Sequence, residues 1–65
     1  VKSSNLKSVG YDENTMILEI EFNNSKVYEY YNVPHSTHSM LMNSESKGKF
    51  FTYHIKSIYE YKLVS

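Results

Sequence analysis

The chain contains no cysteine, no tryptophan and no arginine, and it has one proline and two glycines among its 65 residues. Without cysteine, disulfide bonds and thiolate metal sites are excluded. A domain of this size buries only about 60% of its unfolded surface, and small domains usually add disulfides, a metal or oligomerisation to compensate. Oligomerisation is therefore the remaining route to extra stability. The lack of cysteine also favours a cytoplasmic location.

Long apolar segments are absent as well. No run approaches the roughly 18 residues that a membrane-spanning helix requires, and the N-terminus shows no signal-peptide pattern. The chain begins with Val1. We expect a soluble cytoplasmic protein without membrane contact, folded as a single domain over residues 1–65.

Neither positive nor negative charge is in excess. Seven lysines oppose seven acidic residues, so the net charge is zero. This balance disfavours a strong electrostatic nucleic-acid binder, and a neutral surface does not repel other copies of itself. Aromatic residues make up 15% of the chain, and seven of the ten are tyrosines. Because tyrosine is common at protein interfaces, the composition favours a protein partner, either a second copy or a host protein.

Three strands are predicted in the first half of the chain, over residues 6–11, 16–22 and 26–31. Alternation puts Leu18, Ile20 and Phe22 on one face together with Met16. Asparagine-rich residues 23–25 form a hairpin loop, and the hairpin register places Tyr28 and Tyr30 on the same core face. Residues 12–15 form the preceding turn, and Gly10 suggests either a bulge in the first strand or a close backbone approach.

The only proline changes the pattern from strand to helix. Pro34 suits the first turn of a helix and keeps Val33 extended, so a short helix is predicted over residues 35–43. Met40 and Leu41 are its expected buried contacts. Either Ser36 or Asn32 caps this helix, and the sequence does not choose between them.

A second helix is predicted from Lys47 to about residue 57. Phe51, Ile55 and Ile58 recur at helical spacing and form its buried stripe. Residues 59–64 alternate as a last strand. The predicted fold is therefore α+β: a three-stranded antiparallel β-meander, one or two short helices packed on one sheet face, and a final C-terminal strand.

Two motifs are specific enough to suggest a family. Tyr28-Glu29-Tyr30 is followed by Val33-Pro34, and Ser46-Lys47-Gly48-Lys49-Phe50-Phe51 is followed by Ile55. Over nearly its whole length the chain resembles the KTSC domain, a module at the C-terminus of some lysyl-tRNA synthetases that also occurs as a small bacterial or phage protein. The family often has asparagine at the place of Thr52 and arginine at the place of Lys56. The resemblance implies no established activity; RNA binding has been suggested from the synthetase attachment alone.

Catalytic or metal-binding residues are sparse. His35 and His38 would share a helix face at a spacing that suits a metal, but that helix contains no acidic residue. We interpret the pair as a solvated face. Ser36 and His38 lack any nucleophile-elbow pattern. The chain is therefore predicted to be no enzyme and to hold neither a metal nor a cofactor.

The best candidate site is a helix start flanked by lysines. Its backbone N–H groups would receive an anion and its phenylalanines would stack on a base. Surface tyrosines extend the candidate binding set, which comprises Ser46, Lys47, Gly48, Lys49, Phe50, Lys56, Tyr31 and Tyr53. Two functions follow. The first is a protein-interaction module, oligomeric or acting as a phage- or prophage-encoded inhibitor or adaptor. The alternative is an RNA- or nucleotide-binding accessory domain that uses residues 46–51.

Overall fold

Four antiparallel strands form one sheet in the order β1-β2-β3-β4. The structure, a computed structural model, describes residues 6–65. The strands are β1 (Leu6–Asp12), β2 (Ile17–Phe22), β3 (Val27–Tyr30) and β4 (Tyr61–Leu63). Two helices, α1 (His35–Asn43) and α2 (Lys47–His54), connect β3 to β4. The predicted α+β fold, with a meander, two short helices and a final strand, is confirmed.

The β2–β3 hairpin defines the two faces of the sheet. Its register pairs Leu18 with Tyr30 and Ile20 with Tyr28, as the alternation of the two strands predicts. Leu18, Ile20 and Tyr30 are buried. On the opposite face Glu19 pairs with Glu29. One face therefore belongs to the core, and the charged outer face remains open to solvent.

The core lies between the sheet and the helices. Side chains from both helices and from the segment before α1 complete it. Its buried members are Leu18, Ile20, Tyr30, Val33, Leu41, Phe51 and Ile55. Each fully buried aliphatic side chain contributes roughly 1.5–3 kcal/mol relative to its exposed state. So small a core leaves little margin, which makes each of these residues important for folding.

The start of α1 differs from its prediction. Pro34 is the N-cap (φ −69°, ψ 155°) and no side chain caps the helix, so both proposed caps, Ser36 and Asn32, are wrong. Asn32 instead adopts a left-handed conformation (φ 60°). The Val33 N–H then donates to the Met16 carbonyl at 2.9 Å. Asn32 is thus used to turn the chain from β3, and Pro34 precedes the first turn instead of lying within it.

The end of α2 also differs. The helix ends at His54, and Ile55 is its C-cap with a non-helical φ of −127°. A turn follows, in which the Tyr59 N–H donates to the Ile55 carbonyl. Because Ile58 lies beyond the helix, the helical stripe does not reach it, and Ile58 is 62% exposed. The last strand is correspondingly shorter than the predicted residues 59–64.

Two methionines were placed wrongly by pattern, and the bulge suggested for Gly10 lies elsewhere. Met40 is 53% exposed although its neighbour Leu41 is fully buried, because α1 presents only a narrow face to the sheet. Met16 lies in the β1–β2 turn with a positive φ, outside β2 and away from the core. The irregularity of β1 falls between Leu6 and Ser8 instead of at Gly10.

Candidate functional site

The predicted anion-binding segment forms the N-terminus of α2. The Ser46 side chain caps the helix and accepts a hydrogen bond from the Lys49 backbone N–H at 3.3 Å. The Ser44 hydroxyl donates to the Ser46 carbonyl at 3.0 Å and accepts from the Ser46 N–H at 3.2 Å. These hydroxyls therefore stabilise the loop and the helix start. One of the N–H groups expected to receive an anion is already bonded within the chain.

The two phenylalanines of this segment have different environments. Phe51 is buried and meets the rings of Phe22 and Tyr30 edge-on, at centroid distances of 5.5 and 5.2 Å. Phe50 is half-buried against the His54 ring at 4.6 Å. The pair does not present a common stacking surface, because Phe51 belongs to the core.

A groove of about 410 Å³ lies between α2 with its following turn and the aromatic face of the sheet. Five of its eleven lining residues are aromatic, and polar groups line it from the sheet, from the β2–β3 loop and from α2 with its following turn. Its lining residues are Leu6, Phe22, Asn24, Tyr28, Tyr30, Gly48, Phe51, Thr52, Lys56, Ser57 and Tyr61. Two members of the predicted site, Gly48 and Lys56, belong to this groove, whereas Ser46, Lys47, Lys49 and Phe50 do not line it.

The two tyrosines of the predicted site lie elsewhere. The Tyr31 hydroxyl donates to Glu29 Oε1 at 3.2 Å. Desolvation, followed by this hydrogen bond and the charge of Glu29, raises the pKa of Tyr31 above its ordinary value. Tyr53 is 70% exposed on α2. The structure therefore does not bring Tyr31 and Tyr53 together with the groove.

Tyr30 contributes a buried phenol to the groove. Burial, with smaller contributions from Tyr61 and Tyr28, raises the pKa of Tyr30 to about 12. The phenol is thus protonated at neutral pH and acts as a hydrogen-bond donor. Among the hydrogen bonds of residues 6–65, none involves this hydroxyl, although the residue is only 3% exposed.

A second surface feature lies at the β4 edge of the sheet. In the described part of the chain no strand follows β4 in the sheet order. Large apolar side chains are exposed in this strand and around it: Ile58 (62%) in the turn before β4, Tyr61 (56%) and Leu63 (47%) in β4, and Val64 (42%) directly after it. We call these four residues the β4 edge patch. The sequence showed the alternation of this strand, but it did not indicate that β4 is outermost.

The histidine pair of α1 packs against β1. The His38 ring stacks on Tyr11 at 4.5 Å, and the His35 and His38 rings are 6.3 Å apart. Within residues 6–65, no group of three or more histidine or acidic side chains is arranged to hold a metal. The Tyr11 hydroxyl donates to the Val33 carbonyl, which joins β1 to the segment before α1. The pair is thus part of the packing of α1 on the sheet.

No helix in residues 6–65 has the length and apolar character needed to cross a membrane. That finding agrees with the absence of long apolar runs in the sequence.

Comparison with known proteins identifies relatives of two sizes. The chain is 38% identical over 64 residues to a lysine–tRNA ligase of Nostoc punctiforme, covering 98% of this chain but 11% of the ligase. It is 39% identical over 51 residues to an uncharacterised protein of Stutzerimonas stutzeri, covering 78% of this chain and 72% of that protein. The chain therefore spans only about a tenth of the ligases it matches.

A solved structure has the same fold over the whole chain. The KTSC domain protein of Yersinia pestis superposes with a TM-score of 0.92 at 37% sequence identity, covering 100% of this chain and 92% of that one. The sequence pattern of the KTSC domain matches residues 2–64. The chain is therefore a member of the KTSC domain family.

Proposed function

We propose that the chain is a non-enzymatic protein-interaction module that associates with a second copy of itself through the β4 edge patch. The observation that carries this proposal is the exposure of Ile58, Tyr61, Leu63 and Val64, at 42–62%, beside an outermost strand. An outermost strand offers unpaired backbone N–H and C=O groups to another strand. The exposed apolar side chains add buried area when that pairing forms.

β4 has some but not all of the features that protect edge strands from pairing. It is only three residues long and carries Lys62, but it has neither a proline nor an irregularity in its pairing with β3. The zero net charge adds no general repulsion between copies. An antiparallel β4–β4 pair centred on Leu63 would also place Lys62 opposite Val64 and so avoid a lysine–lysine contact. A twofold-symmetric dimer therefore fits this edge.

The relatives support a module that occurs both as a small separate protein and as part of a larger one. The same domain accounts for 11% of a lysine–tRNA ligase and for most of a small protein. A domain used in both settings has to fold by itself and offer a surface to something else. The surface proposed here is outside the core, so its use does not require the fold to change.

Sedimentation equilibrium of wild type and of Leu63→Lys tests this function. We expect a reversible dimer for wild type and a monomer for Leu63→Lys, because a buried ammonium group without a partner opposes association. Met42→Lys is the matched control: Met42 is 43% exposed, similar to Leu63, but lies on α1. A wild type that stays monomeric at millimolar concentration would contradict self-association and would leave a different protein, such as the predicted host protein, as the occupant of this edge.

The alternative, RNA or nucleotide binding through residues 46–51, has less support at that segment. Phe51 is in the core, and the Ser46 hydroxyl is engaged by the helix cap. We therefore do not propose that segment as a nucleic-acid site.

A further inference from the structure

The groove beside α2 has the size and lining of a small-ligand site. Its volume of about 410 Å³ falls within the usual range of roughly 300–1,000 Å³ for ligand cavities. Five aromatic residues line it: Phe22, Tyr28 and Tyr61 are partly exposed, whereas Tyr30 and Phe51 are buried. Neighbouring rings are steeply inclined, with 82° between Phe22 and Tyr28 and 60° between Tyr28 and Tyr61. A planar aromatic group entering this groove meets both faces and edges of these rings.

The groove also holds a hydrogen-bond donor without an acceptor. The Tyr30 side chain is almost fully buried and lines the groove, and its hydroxyl takes part in none of the side-chain hydrogen bonds within residues 6–65. Because every fully buried side-chain nitrogen and oxygen of the described residues has a partner, the Tyr30 hydroxyl itself retains some exposure. A ring nitrogen or carbonyl oxygen of a ligand would accept its proton.

The charge of the groove favours a negatively charged ligand. Lys56 is its only charged lining residue, and no acidic side chain faces it. The sole ion pair within residues 6–65 joins Lys7 to Glu21, so Lys56 is not neutralised by a neighbour. The sequence contains no acidic residue from Ser46 to Tyr59. A ligand cation would be repelled, whereas a phosphate would be attracted.

We infer that this groove binds a nucleotide, with the base among the aromatic rings, a base acceptor on the Tyr30 hydroxyl and the phosphate beside Lys56. Ser57 and Thr52 also line the groove, and the Thr52 hydroxyl already donates to the Gly48 carbonyl at 2.9 Å. The ligand is either a free nucleotide or one nucleotide of a single strand, since both present a planar base with a phosphate. This inference goes beyond the proposed self-association through the β4 edge patch, with which the groove shares one residue, Tyr61.

Titration followed by two-dimensional ¹H–¹⁵N NMR tests the inference. The probes are the four nucleoside 5′-monophosphates, the corresponding nucleosides, and a short single-stranded RNA of mixed sequence. We expect shifts at Tyr28, Gly48 and Lys56 with monophosphates, and binding about tenfold weaker for nucleosides, which lack the charge that Lys56 contacts. Tighter binding of the RNA identifies a single strand as the source; equal binding identifies a free nucleotide.

Two charge-reversal variants provide the matched comparison. Lys56→Glu is expected to weaken monophosphate binding by about tenfold or more, whereas Lys47→Glu, the same change outside the groove, should alter it by no more than about twofold. Tyr30→Phe keeps the ring, removes only the hydroxyl and should weaken binding by about two- to tenfold. Lys47 lies on α2 and Lys56 in the turn after it, both at the surface, so the two lysine variants are expected to fold.

Two results would overturn the inference. The first is that millimolar nucleotide does not shift the amide signals of the groove residues. The second is that Lys56→Glu and Lys47→Glu weaken nucleotide binding equally. Tighter binding of N-acetyl-tyrosine than of any monophosphate would show instead that the groove takes an aromatic side chain of a protein. Because Leu63→Lys leaves the groove lining intact, nucleotide binding by that variant separates failure of this inference from failure of the dimer.

Discussion

Two neighbouring residues of α1 differ sharply in burial: Leu41 is fully buried, whereas Met40 is 53% exposed. Both are apolar and adjacent, so composition cannot separate them. The orientation of α1 determines which of the two side chains is buried, and that orientation depends on contacts with a sheet formed by distant residues. Tyr30 was placed correctly because a hairpin register is a local property of two neighbouring strands.

His38 makes stability depend on pH. Burial, with a smaller contribution from the charge of His35, lowers the pKa of His38 below its ordinary 6.5. His38 therefore takes up a proton at higher pH in the unfolded chain than in the folded chain. The folded protein has its full stability above about pH 6.5, and this stability decreases as the pH falls towards the lower pKa of His38 in the folded state. Urea unfolding should show a lower midpoint at about pH 5.5 than at about pH 7.5.

A pair of histidine variants isolates this effect. His38→Gln should reduce the fall in the urea midpoint between the two pH values. His54→Gln, which changes an exposed histidine on α2, should retain it. Equal pH dependence in wild type and His38→Gln would show that protonation of His38 is not linked to unfolding.

Helix ends are harder to predict than helices. The bounds of α1, residues 35–43, agree with the prediction because Pro34 and the polar residues after Met42 limit the helix locally. Its cap did not follow the usual rule, since Asn32 is needed to turn the chain out of β3. The prediction extended α2 to about residue 57, which is too far along the chain. Ile58 continues the apolar spacing, although the backbone has already left the helix at Ile55.

The two serines before and within these helices provide a test of capping. Ser46→Ala removes the hydroxyl that accepts from the Lys49 N–H and should lower the free energy of unfolding by about 1 kcal/mol. Ser36→Ala, at a position once expected to cap α1, should change it by less than about 0.5 kcal/mol because no such bond exists there. Chemical denaturation measures both. A larger loss for Ser36→Ala than for Ser46→Ala would contradict the assignment of the caps.

At the scale of the whole molecule, the fold class followed from the order of the strands and helices, but the surfaces did not. The groove combines residues from all four strands, from α2 and from the turn before β4, many of which are far apart in sequence. Its existence depends on how α2 lies across the sheet. The open backbone edge beside Tyr61 and Leu63 likewise depends on strand order, because β4 would be paired on both sides if it lay between two other strands. Neither arrangement is encoded in a local pattern.

Self-association through β4 is the central claim, and a dilution series followed by ¹H–¹⁵N NMR tests it most directly. Between millimolar and micromolar protein, we expect the amide signals of Tyr61, Lys62, Leu63 and Val64 to shift with concentration. The amides of α1, including Met42, should remain unchanged. The Leu63→Lys protein should give the dilute spectrum at every concentration. Shifts confined to α1, or a spectrum independent of concentration, would contradict the account.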